Sequence, residues 1–469
     1  MDERAQPYVA PPGGFRTFLI LWATQAFSVF GSQLTFFAMT VWLTTTLYPH
    51  PEQQPLLASA LSAVALAHAL PNVFMAPFAG VLADRVDRKT IMFWAGIAAG
   101  VITTILVWLL AVGKLVLWQL VLVFTCLSVA QSFHNSAFDA SYVMIVPEKQ
   151  LPRANGMMQT IFSLSGILSP VLAAALIGVP ALLRSVPNPG WLVSLIAGLQ
   201  EGSVLANGVN AATFFIAAAF LPFLSIPSPR RARTSQPRSL WGDVKEGMSF
   251  IGRRRGLLWL LLAFAVVNFC GAPANVLRPV IVRDNLAIDH LARGYSYEAT
   301  LALLGSIGAI GGLAGGFIVA TWGGLKRRRV LGVLIPLVVM GLAQTLFGLS
   351  QGVYLAAGAT ALTMFCAPLA NAHSQTIWQT QTPRELQGRV FAVRRVVAQF
   401  TWPLGTAMAG LLGGLLSPGL TVALCGGIAA LYALSQFANR AVAGIEEDVA
   451  AAPGLTSDKS VAAGPAETE

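Results

Sequence analysis

The chain has 469 residues, 55% of them hydrophobic and only 11% charged, whereas an ordinary soluble domain carries roughly 25% charged residues. A water-soluble enzyme of this size could not cover its surface with so few, so lipid must solvate much of the chain. Its 30 Lys and Arg against 20 Asp and Glu leave a net charge of +10, but they fall in short runs between apolar segments, a pattern of membrane topology and not of nucleic-acid binding.

Crossing the hydrocarbon takes roughly 20 apolar residues in a helix rising about 1.5 Å per residue. The segment Met1–Gly14 is polar and contains proline, so no cleavable export signal is expected, and the apolar stretch after Phe15 becomes the first span. In chain order the expected spans are 16–47, 56–83, 89–112, 115–146, 152–181, 203–226, 257–282, 297–322, 328–350, 352–381, 386–416 and 418–440. The class is therefore all-α integral membrane, with about twelve transmembrane helices. The cysteines Cys126, Cys270, Cys366 and Cys425 stand far apart inside apolar runs, without the spacing of a metal or redox site.

With the N-terminus inside, about 25 of the 30 basic residues lie in loops on one side, among them Arg85/Arg88/Lys89, Arg253/Arg254/Arg255 and Lys326 to Arg329. This bias makes both termini cytoplasmic. The Pro-, Ser- and Arg-rich segment 227–256 lies near the midpoint and reads as a linker. The expected organisation is a cytoplasmic segment 1–15, a six-helix bundle 16–226, the linker 227–256, a second bundle 257–440, and a disordered cytoplasmic tail 441–469. A weak repeat supports the halves: Gly80 before one basic loop is matched by Gly316 before another, Pro147 by Pro383, and Pro170 by Pro403.

Between the second and third spans stands Gly80-Val81-Leu82-Ala83-Asp84-Arg85-Val86-Asp87-Arg88-Lys89. It resembles the loop signature of the major facilitator superfamily, and Asp87 in place of a glycine is similar to the drug, macrolide and siderophore exporters of that superfamily. The resemblance implies the major facilitator fold, two six-helix bundles rocking about a central site. Gly80 would let helices approach closely, and Asp84, with Arg85, Arg88 and Lys89 around it, would latch the inner gate against Arg389, Arg394 or Arg395 of the other half. The alternative is a plain positive-inside anchor. Small residues and Pro170 in the fifth span, Pro403 in the eleventh, and Gly305, Gly308, Gly312 and Gly316 in the eighth are expected at helix-packing positions.

Ionisable groups inside a membrane are costly and default to functional hypotheses. Asp139 lies about 12 Å up the fourth span and is the candidate for proton coupling. Ser128, Ser132, Asn135 and Asp139 share one helical face with His134 beside it. The alternative is a hydrated or structurally paired carboxylate. Other candidates for the cavity wall are Gln25, Ser28 and Ser32, Asn268 and Asn275, and Asn371, Ser374 and Gln375, each equally readable as a helix-to-helix bond. His68 and His373 read as packing groups, and Arg278 as a residue snorkelling to the far interface. Many drug–proton antiporters of that superfamily carry an arginine within the fourth helix, and this span has none, Gln131 and Ser132 occupying the corresponding region.

The resemblance implies a secondary transporter that exports a hydrophobic or amphipathic small molecule, such as a drug, macrolide or siderophore, by alternating access.

 The drive would be proton antiport, so the expected partners are the cargo, protons and the lipid bilayer, with no nucleic acid, no cofactor, no metal and a monomeric state. No Gly-x-x-x-x-Gly-Lys-Ser/Thr loop and no HExxH or Ser/His grouping is present, which argues against ATP drive within the chain and against an enzyme. The alternatives are an uptake symporter and, further off, a non-transporting receptor or scaffold.

Overall fold

The computed structural model describes residues 13–147, 150–187, 190–226 and 240–446. The described residues form helices and no strands, so each span satisfies its own backbone hydrogen bonds where lipid offers none. The N-terminal half contains α1 (Gly14–Trp42, closed by a π-helical turn over Leu43–Leu47), α2 (Gln54–Arg85), α3 (Arg88–Ala111), α4 (Leu117–Ile145), α5 (Leu151–Leu183), the short α6 (Trp191–Ala197) and α7 (Ser203–Phe220). The C-terminal half contains α8 (Leu240–Arg253), α9 (Arg255–Asp284), the short α10 (Ala287–Ala292), α11 (Tyr297–Trp322), α12 (Leu331–Leu349), α13 (Val353–Gln381), α14 (Arg384–Leu415) and α15 (Pro418–Ser435).

Eleven helices of the described residues are long and apolar enough to cross a membrane. The remaining expected span, the eleventh in chain order, is α14, 32 residues long, whose first turns carry Arg389, Arg394 and Arg395. Together they make two six-helix bundles, with Trp94, Trp108, Phe317 and Leu411 among the apolar side chains exposed around the perimeter, where lipid would lie. Residues 1–12, 227–239 and 447–469, covering most of the expected N-terminal segment, part of the linker and most of the tail, lie outside the described residues. The remainder of the linker is not extended chain: Leu240–Arg253 is an amphipathic helix that seats Ile251 in the C-terminal core, and Glu246 pairs with Arg389.

The cores show how the halves meet. We call the end carrying Arg85 to Lys89 and Lys326 to Arg329 the basic end. At the opposite, far end one continuous apolar core runs through both halves, joining Leu34, Leu57 and Leu61 to Val276, Leu277 and Leu301. At the basic end there are two separate cores, one holding Phe18, Met92 and Phe138 and the other Leu257, Val333 and Trp378.

Bonds between the halves follow the same division. Arg283 Nη1 donates to Tyr48 O at 2.9 Å and Gln54 Nε2 to Gly413 O at 3.0 Å, both at the far end. Near mid-depth, Ser306 Oγ donates to Ile167 O at 2.8 Å. Gly410, Gly413 and Gly414 let α14 lie directly on α2, where an added Cβ at Gly410 would come within 2.7 Å of Ser62 Oγ.

In the glycine stripe of α11, Gly308 packs as expected, a Cβ there standing 3.0 Å from Thr360 Cγ2, but the last two glycines face one residue out of the expected register. A Cβ at Gly316 would meet nothing within 4 Å, and at Gly312 only Met364 O at 3.7 Å. The close contacts are Gly311 on Ala361 O and Gly315 on Phe365 O, where a Cβ would stand 2.4 and 2.1 Å away. A four-residue spacing sets a stripe without setting which way it faces. Pro170 does pack, its Cγ lying 3.6 Å from a Cβ built at Gly305, and Pro403 is buried within α14.

Candidate functional site

A cavity of about 650 Å³ lies against the N-terminal bundle, walled by α1, α2, α4, α5 and α7. Of the expected residues, Gln25, Ser32, Asn135 and Asp139 line it. Asp139 is exposed and is the only charged one among the described residues that line it. Gln131 Nε2 donates to Asn135 Oδ1 at 2.8 Å along the same face of α4.

Ser28 and His134 lie behind this wall, beside a much smaller space between α1, α3, α4 and α7. His134 Nε2 bonds Gln25 Oε1 at 2.8 Å and its ring stacks on Phe138, so it positions a wall residue from behind. Ser132 is buried and lines neither space, and Ser128 bonds across to α2 through His68 O and Asn72 Nδ2. The four-residue stripe on α4 is therefore split, Asn135 and Asp139 toward the cavity and Ser128 and Ser132 toward neighbouring helices.

His68, read above as a packing group, lines the wall, and other wall residues, Phe124, Tyr142 and Met158 among them, were not singled out from the sequence. Phe36, His68 and Phe124 form an aromatic cluster with ring centres 6.2 to 6.5 Å apart. Tyr142, Met158 and Phe162 flank Asp139, while Asn72 and Asn210 add amides. Asn210 Nδ2 donates to Thr35 Oγ1 at 2.7 Å. Asn72 and Asn210 had a readable signal, an amide inside an apolar span; the aromatics had a weaker one, since phenylalanine faces lipid as readily as a cavity.

The candidates of the other half stand apart. Asn268 and Asn275 line a separate cavity of about 90 Å³ inside the C-terminal bundle. Asn371 is exposed toward the basic end of α13, and Gln375 Oε1 accepts from Arg394 Nη1 at 2.6 Å. His373 is a packing group: its Nε2 accepts from Leu325 N at 2.8 Å and its Nδ1 lies 2.7 Å from Leu369 O, which fixes the turn after α11.

The Asp-Arg loop ends α2 and starts α3. Arg88 is only 7% exposed and donates to Ala83 O at 3.1 Å and Ala140 O at 3.0 Å, tying the end of α2 to α4. Lys89 Nζ donates to Pro222 O at 3.3 Å, and Asp87 Oδ2 accepts from Thr90 Oγ1 at 3.0 Å. Arg85 is exposed, and a Cβ at Gly80 would meet nothing within 4 Å. The side chain of Asp84 lies outside those described. Of its expected partners, Arg389 pairs with Glu246 and Arg394 with Ser374 and Gln375, all within the C-terminal half.

The comparisons agree with this architecture. The family model described as Major Facilitator Superfamily matches residues 21–406. Macrolide efflux protein A of Streptococcus pyogenes is 27% identical over 400 residues, covering 84% of this chain and 88% of that protein. Macrolide efflux protein A of Enterococcus faecalis is 27% identical over 345 residues, with 72% and 95% covered. Among solved structures, an inward-facing, unoccupied bacterial homolog of the human lysosomal transporter Spinster superposes with a TM-score of 0.60 at 17% identity, covering 94% of this chain and 96% of that one. The POT family transporter PepTSo gives 0.64 at 12% identity, with 92% and 98% covered. With its two six-helix bundles, the loop that closes α2 and a family match over most of its length, the chain belongs to the major facilitator superfamily of membrane transporters.

Proposed function

We propose that the protein exports a hydrophobic or amphipathic small molecule, of the drug, macrolide or siderophore kind, by alternating access coupled to proton antiport. The observation that carries this reading is the contrast between one core shared by both halves at the far end and two separate cores at the basic end. A carrier closed on one side and parted on the other has this form. The positive-inside rule puts the basic end in the cytoplasm, so the cavity faces the compartment from which cargo would be taken.

The chemistry of the wall supports the cargo class. Phenylalanines and a tyrosine supply apolar area, amides supply hydrogen bonds, and Asp139 supplies one negative charge. An amphipathic molecule with a basic nitrogen suits that combination, and the names of the efflux relatives point to the same class. Asp139 would exchange a proton for cargo, and Asp84 would latch the basic end once the far end opens. The protein would act as a monomer in the cell membrane.

Accumulation of a macrolide and of cationic dyes in an efflux-deficient host tests the reading. Expression should lower accumulation, and an uncoupler should restore it. Unchanged accumulation across such a panel, with the protein present in the membrane, would refute export.

A further inference from the structure

The cavity inside the C-terminal bundle has no part in the reading above, and its chemistry is opposite in sign. Arg278 stands six residues before the end of α9, or about 9 Å from that end. From there its side chain was expected to reach the far interface. Instead it lines the cavity of about 90 Å³. Its Nη2 donates to Asn275 Oδ1 at 3.3 Å, and its Nε is buried without a hydrogen-bond partner.

No carboxylate among the described residues pairs with it, in contrast to Arg283 one turn later, whose Nε lies 2.6 Å from Asp284 Oδ1. A guanidinium held at membrane depth without a counter-charge costs several kcal/mol. The other polar wall groups leave Arg278 as the main donor. Gln344 Nε2 donates to Cys270 O at 2.7 Å, and the hydroxyls of Thr360 and Thr363 donate to Ala356 O and Ala359 O. The space, about 90 Å³, has room for a carboxylate head.

We infer that this cavity is an anion site in which Arg278 binds a small carboxylate, either free or borne by a cargo molecule. The fork of guanidinium donors matches the two oxygens of a carboxylate. Thr360, Met364 and Trp402 line the same space.

Trp402 makes the site readable by fluorescence. The full-length protein in nanodiscs is titrated with sodium acetate, replacing sodium chloride at constant ionic strength, with acetamide as the uncharged control. A saturable change in tryptophan emission is expected, weakened at least tenfold in Arg278→Gln and retained in Arg278→Lys. The acetate-induced shift in thermal midpoint, read in parallel on monodisperse protein, should follow the same order and survive Trp402→Phe. No saturable response in the parent protein, or an equal response in Arg278→Gln, overturns the site. Carboxyfluorescein anisotropy separates the sources: Arg278-dependent binding displaced by acetate assigns the site to carboxylates on larger molecules, and acetate binding without dye binding assigns it to free anions.

Discussion

Replacing Gly410 with valine attacks the far-end seal directly. In the observed state α14 lies on α2 there, and a Cβ at 410 would stand 2.7 Å from Ser62 Oγ, 2.8 Å from Ser62 Cβ and 3.5 Å from Ser59 Cα. Ser62 is buried with a short side chain that cannot swing clear, so the helices must part. Overpacking of this kind costs about 1–3 kcal/mol. The strain exists only while the far end is closed, so it shifts the balance of the two states toward far-open by about 5- to 150-fold. The assay is side-specific labelling of a cysteine placed at Gln33, an exposed cavity residue, after the four native cysteines are replaced. In Gly410→Val, an impermeant maleimide should label more from the far side and less from the basic side, and efflux should fall. Gly316→Val, which meets open space, should change neither. An unchanged side preference in folded, monodisperse Gly410→Val protein would refute the reasoning.

Other substitutions address the remaining parts. Asp84→Asn should preserve expression and impair flux, as seen in vesicle transport; normal flux would remove the latch. Asp139→Asn should flatten the pH profile of efflux, and an unaltered profile would remove the proton role. Arg88→Ala strips two carbonyls of a charged donor, each bond being worth about 1.5–3 kcal/mol, and should lower the thermal midpoint, whereas Arg85→Ala at an exposed position should leave it in place. At the far end, the hydrogen bond from Arg293 holds the Asp289 carboxyl below the usual carboxylate range. Its stabilisation is therefore full above the unfolded-state value and is lost as pH falls through the lower folded one, a dependence that Asp289→Asn should abolish in acid melts.

The long helices were legible because a bilayer imposes one length and one composition on each of them. The expected span 297–322 coincides with α11, and the limits of α13 differ by one residue at one end. What escaped were elements that do not cross: α6, α8 and α10 are too short for the hydropathy signal. In α8 the spacing of Leu240, Val244, Met248 and Ile251 was readable as an amphipathic helix but sat beside a proline- and arginine-rich run. At the site, composition marked which helices carry polar groups, yet the rotation of each helix decides which groups meet. So Asn135 and Asp139 reach the cavity while Ser132, on the same stripe, does not. Arg278 was misjudged for a related reason, since its distance from the helix end permits snorkelling, but the bundle folds around it.

The apolar core that runs through both halves at the far end has a thermodynamic consequence for an idle carrier. Swinging open there would wet surface now sealed, at about 2.5 kcal/mol for each 100 Å² of apolar area. An empty molecule has little to offset that penalty until cargo or a closing latch does so. On the proposed alternating-access reading the seam would act as a ratchet pawl: it would discourage futile reorientation and keep the unloaded protein waiting with its basic side open.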